Sequence, residues 1–201
     1  MITLPFVLLL LTGAYLAGSV PFAIVSSRLF GIDDPRSYGS GNPGATNVLR
    51  SGSKAAAALT LAGDCFKGWL AVWAASALGF DAPIAALAGL AAFIGHVFSV
   101  FLRFKGGKGV ATALGALLGI DPVIALGSLG VWLLVVLASR YSSAGALAAT
   151  VAAPVLTGLV TGDAALTIIV LFIGAILVWR HTPNIKRFLA GTEEKVGADK
   201  R

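Results

Sequence analysis

Seven apolar stretches divide the chain, at residues 3–29, 56–80, 83–102, 110–120, 122–139, 144–160 and 164–179. Polar, glycine-rich or charged segments separate them. Five of the stretches come near or reach the roughly 17–25 residues that a helix needs to cross a bilayer. The run 164–179 is slightly short, and 110–120 is plainly short. At the α-helical rise, residues 110–120 cover about 17 Å, against roughly 30 Å of hydrocarbon. Met1–Pro5 carries no positive segment, and the first run is too long for the apolar part of a cleavable signal, so it is expected to persist as a helix. The pattern predicts an all-α integral membrane protein of seven transmembrane helices, one of them a short half-helix.

Composition agrees. Hydrophobic residues make up 57% of the 201 residues and charged residues 12%, with a mean hydropathy of +0.90. A water-soluble domain of this make-up lacks the polar surface to cover its core. Cys65 is the sole cysteine, which excludes a disulfide scaffold. The net charge of +6 raises the question of nucleic acid, and the placement of the charges answers it. With the N-terminus outside and seven spans threaded, 14 of the 15 basic residues fall on the cytoplasmic side and Lys67 lies within a span. The outer loops hold Asp81, Asp121 and Asp163. That asymmetry is the positive-inside rule, so no nucleic-acid partner is needed. Merging 110–139 into one proline-kinked helix would instead send the basic tail outside. The expected organisation is one polytopic domain, 1–201, with cytoplasmic loops 31–55, 103–109 and 140–143 and a cytoplasmic tail 180–201. The 25 glycines suit close helix packing in lipid.

Candidate chemistry lies in the inner loops. Gly39, Gly41 and Gly44 satisfy G-x-G-x-x-G, but a membrane helix rather than a strand precedes them, so a dinucleotide site is rejected. What remains is a segment dense in Gly, Ser, Asn and Thr and closed by Arg50, an anion-cradling set or simply a solvated loop of turn residues. The second loop, Phe104-Lys105-Gly106-Gly107-Lys108-Gly109, lacks the spacing of a Walker A loop. Its glycines are still expected to turn backbone N–H groups toward a phosphate, with Lys108 as counter-charge and a helix start behind. The exit of the last span carries Trp179, Arg180, His181 and Asn184. Arg140, Ser142 and Ser143 close the remaining inner loop. Asp64 and Lys67, three apart within a span, are expected to pair on one helix face and to orient that helix. No metal-ligating cluster and no H-x4-D acid–base pair is present.

At these loops the sequence resembles one family closely, the acyl-phosphate-dependent glycerol-3-phosphate acyltransferases of bacteria, the PlsY family. The resemblance covers essentially the whole chain. It rests on Gly39-Ser40-Gly41-Asn42-x-Gly44-Ala45-Thr46-Asn47 with Arg50; Gly63-Asp64 with Lys67-Gly68; Gly95-His96 leading to Phe104–Thr112; Arg140 with Ser143; and Arg180-His181-x-x-Asn184-Ile185-x-Arg187 with Gly191-Thr192-Glu193. Two positions depart from the family pattern, Ser99 where proline is usual and Ala146 where a second serine is frequent.

The resemblance implies an enzyme of the bacterial cytoplasmic (inner) membrane. It would transfer a fatty acyl group from acyl phosphate to the 1-hydroxyl of glycerol 3-phosphate, giving lysophosphatidic acid and phosphate; no cofactor is expected, and the missing ligand cluster implies no metal. By the same analogy Ser40, Arg50, Lys108, His181 and Asn184 hold or orient glycerol 3-phosphate. Asn42, Thr46, the Gly106, Gly107 and Gly109 backbone and Ser143 complete the binding set. The soluble enzyme that makes acyl phosphate, PlsX, would dock on the inner loops. A transporter for a phosphorylated solute is the main rival, but it lacks an internal repeat and polar residues in the outer half to complete a path. A lipid-binding scaffold leaves the inner motifs unexplained.

Overall fold

The computed structural model describes residues 3–196. These residues form helices and loops, without a strand, in two compact units, Met1–Asp121 and Pro122–Arg201.

In the first unit the run 3–29 gives two helices, α1 (Leu4–Ser19) and α2 (Phe22–Leu29), where one was expected. Proline lacks an N–H and clashes with the preceding turn, and it pushes the residue before it toward extended backbone. Val20, before Pro21, adopts φ −60° and ψ 118°. A short helix, α3 (Ala45–Leu49), sits within the following loop. Then come α4 (Lys54–Ala77), α5 (Ala82–Val97), a 3-10 turn at Val100–Leu102, and α6 (Val110–Ile120), the half-length helix that the short apolar run predicts. The second unit holds α7 (Pro122–Ser139), α8 (Ser142–Thr161), α9 (Ala164–Arg180) and α10 (Thr182–Leu189). Two acids placed in outer loops turn out to be helix caps. Asp81 accepts from Ile84 N–H at 3.0 Å, and Asp163 from Ala165 N–H at 2.7 Å.

Five helical segments are long and apolar enough to cross a membrane: Leu4–Leu29, Lys54–Ala77, Ala82–Leu102, Pro122–Ser139 and Ser142–Thr161. A sixth is added if α9 and α10, bent by 50° at His181, are taken together. Many buried positions are small, and many large apolar side chains face outward. Alanines such as Ala75, Ala88, Ala92 and Ala116 are fully buried, while Leu9, Leu134, Leu137 and Leu159 are mostly exposed. In lipid there is little to gain from burying leucine, so association depends on small residues that let backbones approach. In the first unit α1 packs on α5, and α4 packs on both α5 and α6. Gly68 faces the Thr112 carbonyl, and Gly115 faces the Cys65 carbonyl. In the second unit α8 packs on α7 and α9, with Gly145 against Trp132 and Gly174 against Thr150.

A Cβ at position 115 would run into the Cys65 carbonyl, a backbone atom that cannot swing aside. Gly115→Ala is therefore expected to cost about 1–3 kcal/mol, the usual penalty of overpacking, and to lower Tm in detergent. Gly130→Ala, which meets nothing within 4 Å, is expected to leave Tm unchanged or raise it.

Candidate active site

The loop after α2 is organised by one side chain. Asn47 is buried, and its Oδ1 accepts from Ser40 N–H at 3.0 Å and from Ser40 Oγ–H at 3.2 Å. Its Nδ2 donates to the Pro35 carbonyl at 2.6 Å and the Tyr38 carbonyl at 3.2 Å. The amide thus uses its full complement of two acceptor sites and two donors. Gly39 has φ +57°, and a Cβ there would collide with Asn47 Oδ1 and crowd the Arg50 guanidinium. Ser40 is therefore tied to the buried Asn47 amide, and the Arg50 guanidinium lies beside Gly39, the residue before it. Val48, fully buried with Ala23, Ala56 and Ala57, ties α3 to the helices beneath. Asn42 and Thr46 lie on the same loop, Thr46 exposed at the start of α3. At the edge of the loop Arg36 grips Asp34 with two nitrogens, at 3.0 and 2.6 Å. That hydrogen bonding holds the Asp34 carboxyl below the usual carboxylate range.

In the glycine loop, Gly106 N–H donates to the Val97 carbonyl at 3.1 Å, and Gly107 N–H to the His96 carbonyl at 3.2 Å. These donors satisfy the carbonyls left open at the C-terminal end of α5. Gly109 is different. Its φ of +92° makes it the cap of α6, and a Cβ there would strike the Phe93 ring. Lys108, half-buried, stands between this pinned loop and the first turn of α6. The N–H groups of that turn lack intrahelical partners.

In the second unit a carboxylate plays the part that Asn47 plays in the first. Glu193 accepts from Asn184 Nδ2 at 2.6 Å and Ser143 Oγ at 2.7 Å on one oxygen, and from Arg187 Nε at 2.8 Å on the other. Its side chain is 8% exposed. Burial pushes the carboxyl up, but the three hydrogen bonds outweigh it and hold Glu193 below its usual range. Glu193 thereby joins the start of α8, α10 and the following segment. Val196 N–H adds a bond to the Arg140 carbonyl at 2.8 Å. His181 is buried at the α9–α10 bend, its Nδ1 2.8 Å from the Leu177 carbonyl. A carbonyl only accepts, so Nδ1 carries the proton and in the neutral ring Nε2 is the acceptor.

Ser40, Arg50 and Lys108 thus lie in the first unit, and Ser143, His181 and Asn184 in the second. The expected Asp64–Lys67 pair forms, with Nζ–Oδ1 at 2.7 Å. Sequence reasoning gave no role to Asn47, Glu193 or His96. The signals were present: an asparagine beside a buried valine in a loop of turn residues, and an acid following Arg180, Lys186 and Arg187.

A family model described as "Glycerol-3-phosphate acyltransferase" matches residues 8–191. The chain belongs to this family. A glycerol-3-phosphate acyltransferase from Aromatoleum aromaticum is 65% identical over 193 residues, covering 96% of this chain and 98% of the relative. One from Dechloromonas aromatica is 52% identical, with 95% and 96% covered. The fold is similar to a crystal structure of PlsY, an integral membrane glycerol 3-phosphate acyltransferase, in its glycerol 3-phosphate form. That similarity has a TM-score of 0.89 and 40% identity, over 95% of this chain and 96% of that one. The lysophosphatidic acid form gives a TM-score of 0.87. The chain is accordingly an all-α, multi-pass integral membrane acyltransferase.

The lowered Glu193 carboxyl has a consequence for stability. A carboxyl held lower in the folded than in the unfolded state adds stability above its unfolded range near pH 4–4.5, and that stability is lost as pH falls through the folded value. Tm in detergent is expected to fall between pH 6 and pH 4 in the wild type. In Glu193→Gln it should be lower at pH 6 and fall less steeply, because the amide cannot ionise.

Proposed function

We propose that this acyltransferase takes a fatty acyl group from acyl phosphate and passes it to the 1-hydroxyl of glycerol 3-phosphate. The products are 1-acyl-glycerol 3-phosphate and inorganic phosphate, the first acylation of bacterial phospholipid synthesis. The observation that carries this reading is the loop around Gly39, with the Ser40 hydroxyl bonded to a buried amide and the Arg50 guanidinium beside it, in a chain whose solved relatives are described with glycerol 3-phosphate and lysophosphatidic acid. Ser40, Arg50, Lys108, His181 and Asn184 act on glycerol 3-phosphate. Asn42, Thr46, Ser143 and the Gly109 end of the glycine loop complete the binding groups. The enzyme spans the cytoplasmic membrane seven times, with α6 as the half-length span, the N-terminus outside and the tail inside. Its basic inner loops are where a soluble acyl-phosphate-producing enzyme, PlsX, delivers the donor.

An acyl phosphate needs little activation, because phosphate leaves readily. The acceptor hydroxyl oxygen attacks the acyl carbonyl carbon, and the carbon–oxygen bond to phosphate breaks. The phosphate departs with the electron pair, and the hydroxyl proton passes to a phosphate oxygen. Side-by-side binding of the two phosphates supplies several kcal/mol through proximity. Lys108 and the N–H groups opening α6 stabilise charge on the leaving group. Direct transfer is favoured over an acyl-Ser40 intermediate by the partner of the Ser40 hydroxyl, since an amide oxygen is no base.

Purified protein in detergent is expected to release phosphate from palmitoyl phosphate only when glycerol 3-phosphate is present, and not to use acyl-CoA. Lys108→Ala should lose roughly 10²-fold or more in turnover, as when one preorganised charge-stabilising donor is removed. Intact mass after incubation with donor alone should show no adduct. A stoichiometric acyl group on Ser40 means a two-step route, and near-normal Lys108→Ala moves the site elsewhere. Cysteine labelling should find 36–50, 103–108 and 185–201 inside, of which 197–201 lie outside the described residues, and Asp81, Asp121 and Asp163 outside.

A further inference from the structure

The Asp64–Lys67 pair has a third member that a self-neutralising pair does not need. His96 Nδ1 lies 3.3 Å from Asp64 Oδ1, the same oxygen that meets Lys67. Asp64, Lys67 and His96 are 2%, 3% and 7% exposed, on α4 and α5. Ionisable groups buried at membrane depth are costly and are retained for a task. The Lys67 arm has a visible one. Its Nζ donates to the Val20 carbonyl at 2.8 Å, one of the groups released where Pro21 breaks the first span.

The His96 arm leads to the glycine loop. A Cβ on Gly107 would strike His96 Nε2, so the loop backbone rests directly on the imidazole edge. Gly107 N–H is bonded to the carbonyl of His96 itself. The Nδ1 edge of the ring faces Asp64 and the Nε2 edge faces Gly107. The residue that follows Gly107 is Lys108.

We propose that Asp64, acting through His96, is a positioning residue for the glycine loop and hence for Lys108. Asp64 sets the plane of the His96 ring, the ring is the floor under Gly107, and the floor sets where the Lys108 ammonium stands. This rests on the reading that Lys108 acts on the phosphate groups.

The test is a double-mutant cycle on the purified full chain in detergent, using the acyl donor that the wild type turns over. His96→Asn keeps an N–H donor near the Nδ1 position and removes the ring edge under Gly107. It is expected to lower kcat by about 10- to 100-fold, the cost of misplacing a catalytic group by around an ångström. Its KM for glycerol 3-phosphate should change by less than kcat, and its Tm should stay near that of the wild type. In His96→Asn with Lys108→Ala, the loss should match that of Lys108→Ala alone, because loop placement no longer matters once the ammonium is gone. If His96→Asn does not fold, the near-isosteric Asp64→Asn is expected to show the same non-additivity. Additive losses, or a full-rate His96→Asn, overturn the positioning role while leaving the Lys108 assignment standing. A near-normal Lys108→Ala shows instead that the functional reading has failed, and this inference fails with it.

Discussion

A helix interrupted in an apolar medium leaves carbonyl groups that water does not reach, and each unpaired one costs several kcal/mol. The first unit is built around meeting that cost at two places, the break at Val20–Pro21 and the C-terminal end of α5. Ser99 Oγ donates to the Ser19 carbonyl at 2.6 Å, and Lys67 Nζ to the Val20 carbonyl at 2.8 Å. Tyr15 Oη donates to the Phe98 carbonyl at 2.8 Å, and Gly106 and Gly107 N–H close the Val97 and His96 carbonyls. The two breaks lie side by side and repair each other. Ser99, a departure from the usual proline of the family, supplies one of these repairs.

This requirement explains why the glycine loop is not an open cradle. Two of its donors are committed to α5, which fixes the loop immediately before Lys108 and the start of α6. Rigidity is what such a site needs, because a charge placed in advance stabilises a transition state without reorganising at the moment of reaction. The same solution recurs in the polar loops of both units. One buried polar side chain, Asn47 or Glu193, gathers several loop groups. Ser143 and Asn184 therefore present geometry set by Glu193 and not by their own helices alone.

The amino-acid sequence alone determined the membrane class, the helical runs, the half-length α6 and the residue types of the candidate site. Each of these depends on local composition: apolar length, turn residues, and glycines around a lysine. Even the Asp64–Lys67 pair was legible, because a spacing of three places two residues on one helix face. Pro21 was a signal too, but the apolar residues on both sides concealed the break that it makes.

Only the tertiary structure decided which polar groups are committed to which. That Gly106 and Gly107 serve α5, that Asn47 ties Ser40 to Pro35 and Tyr38, and that His96 joins Asp64 under Gly107 are matters of pairing that no single stretch of sequence shows. A hydrogen bond is directional and short, so a residue type announces a capacity to bond and only the fold assigns the partner. Apolar periodicity is read residue by residue, whereas the satisfaction of polar groups is settled over the whole molecule at once.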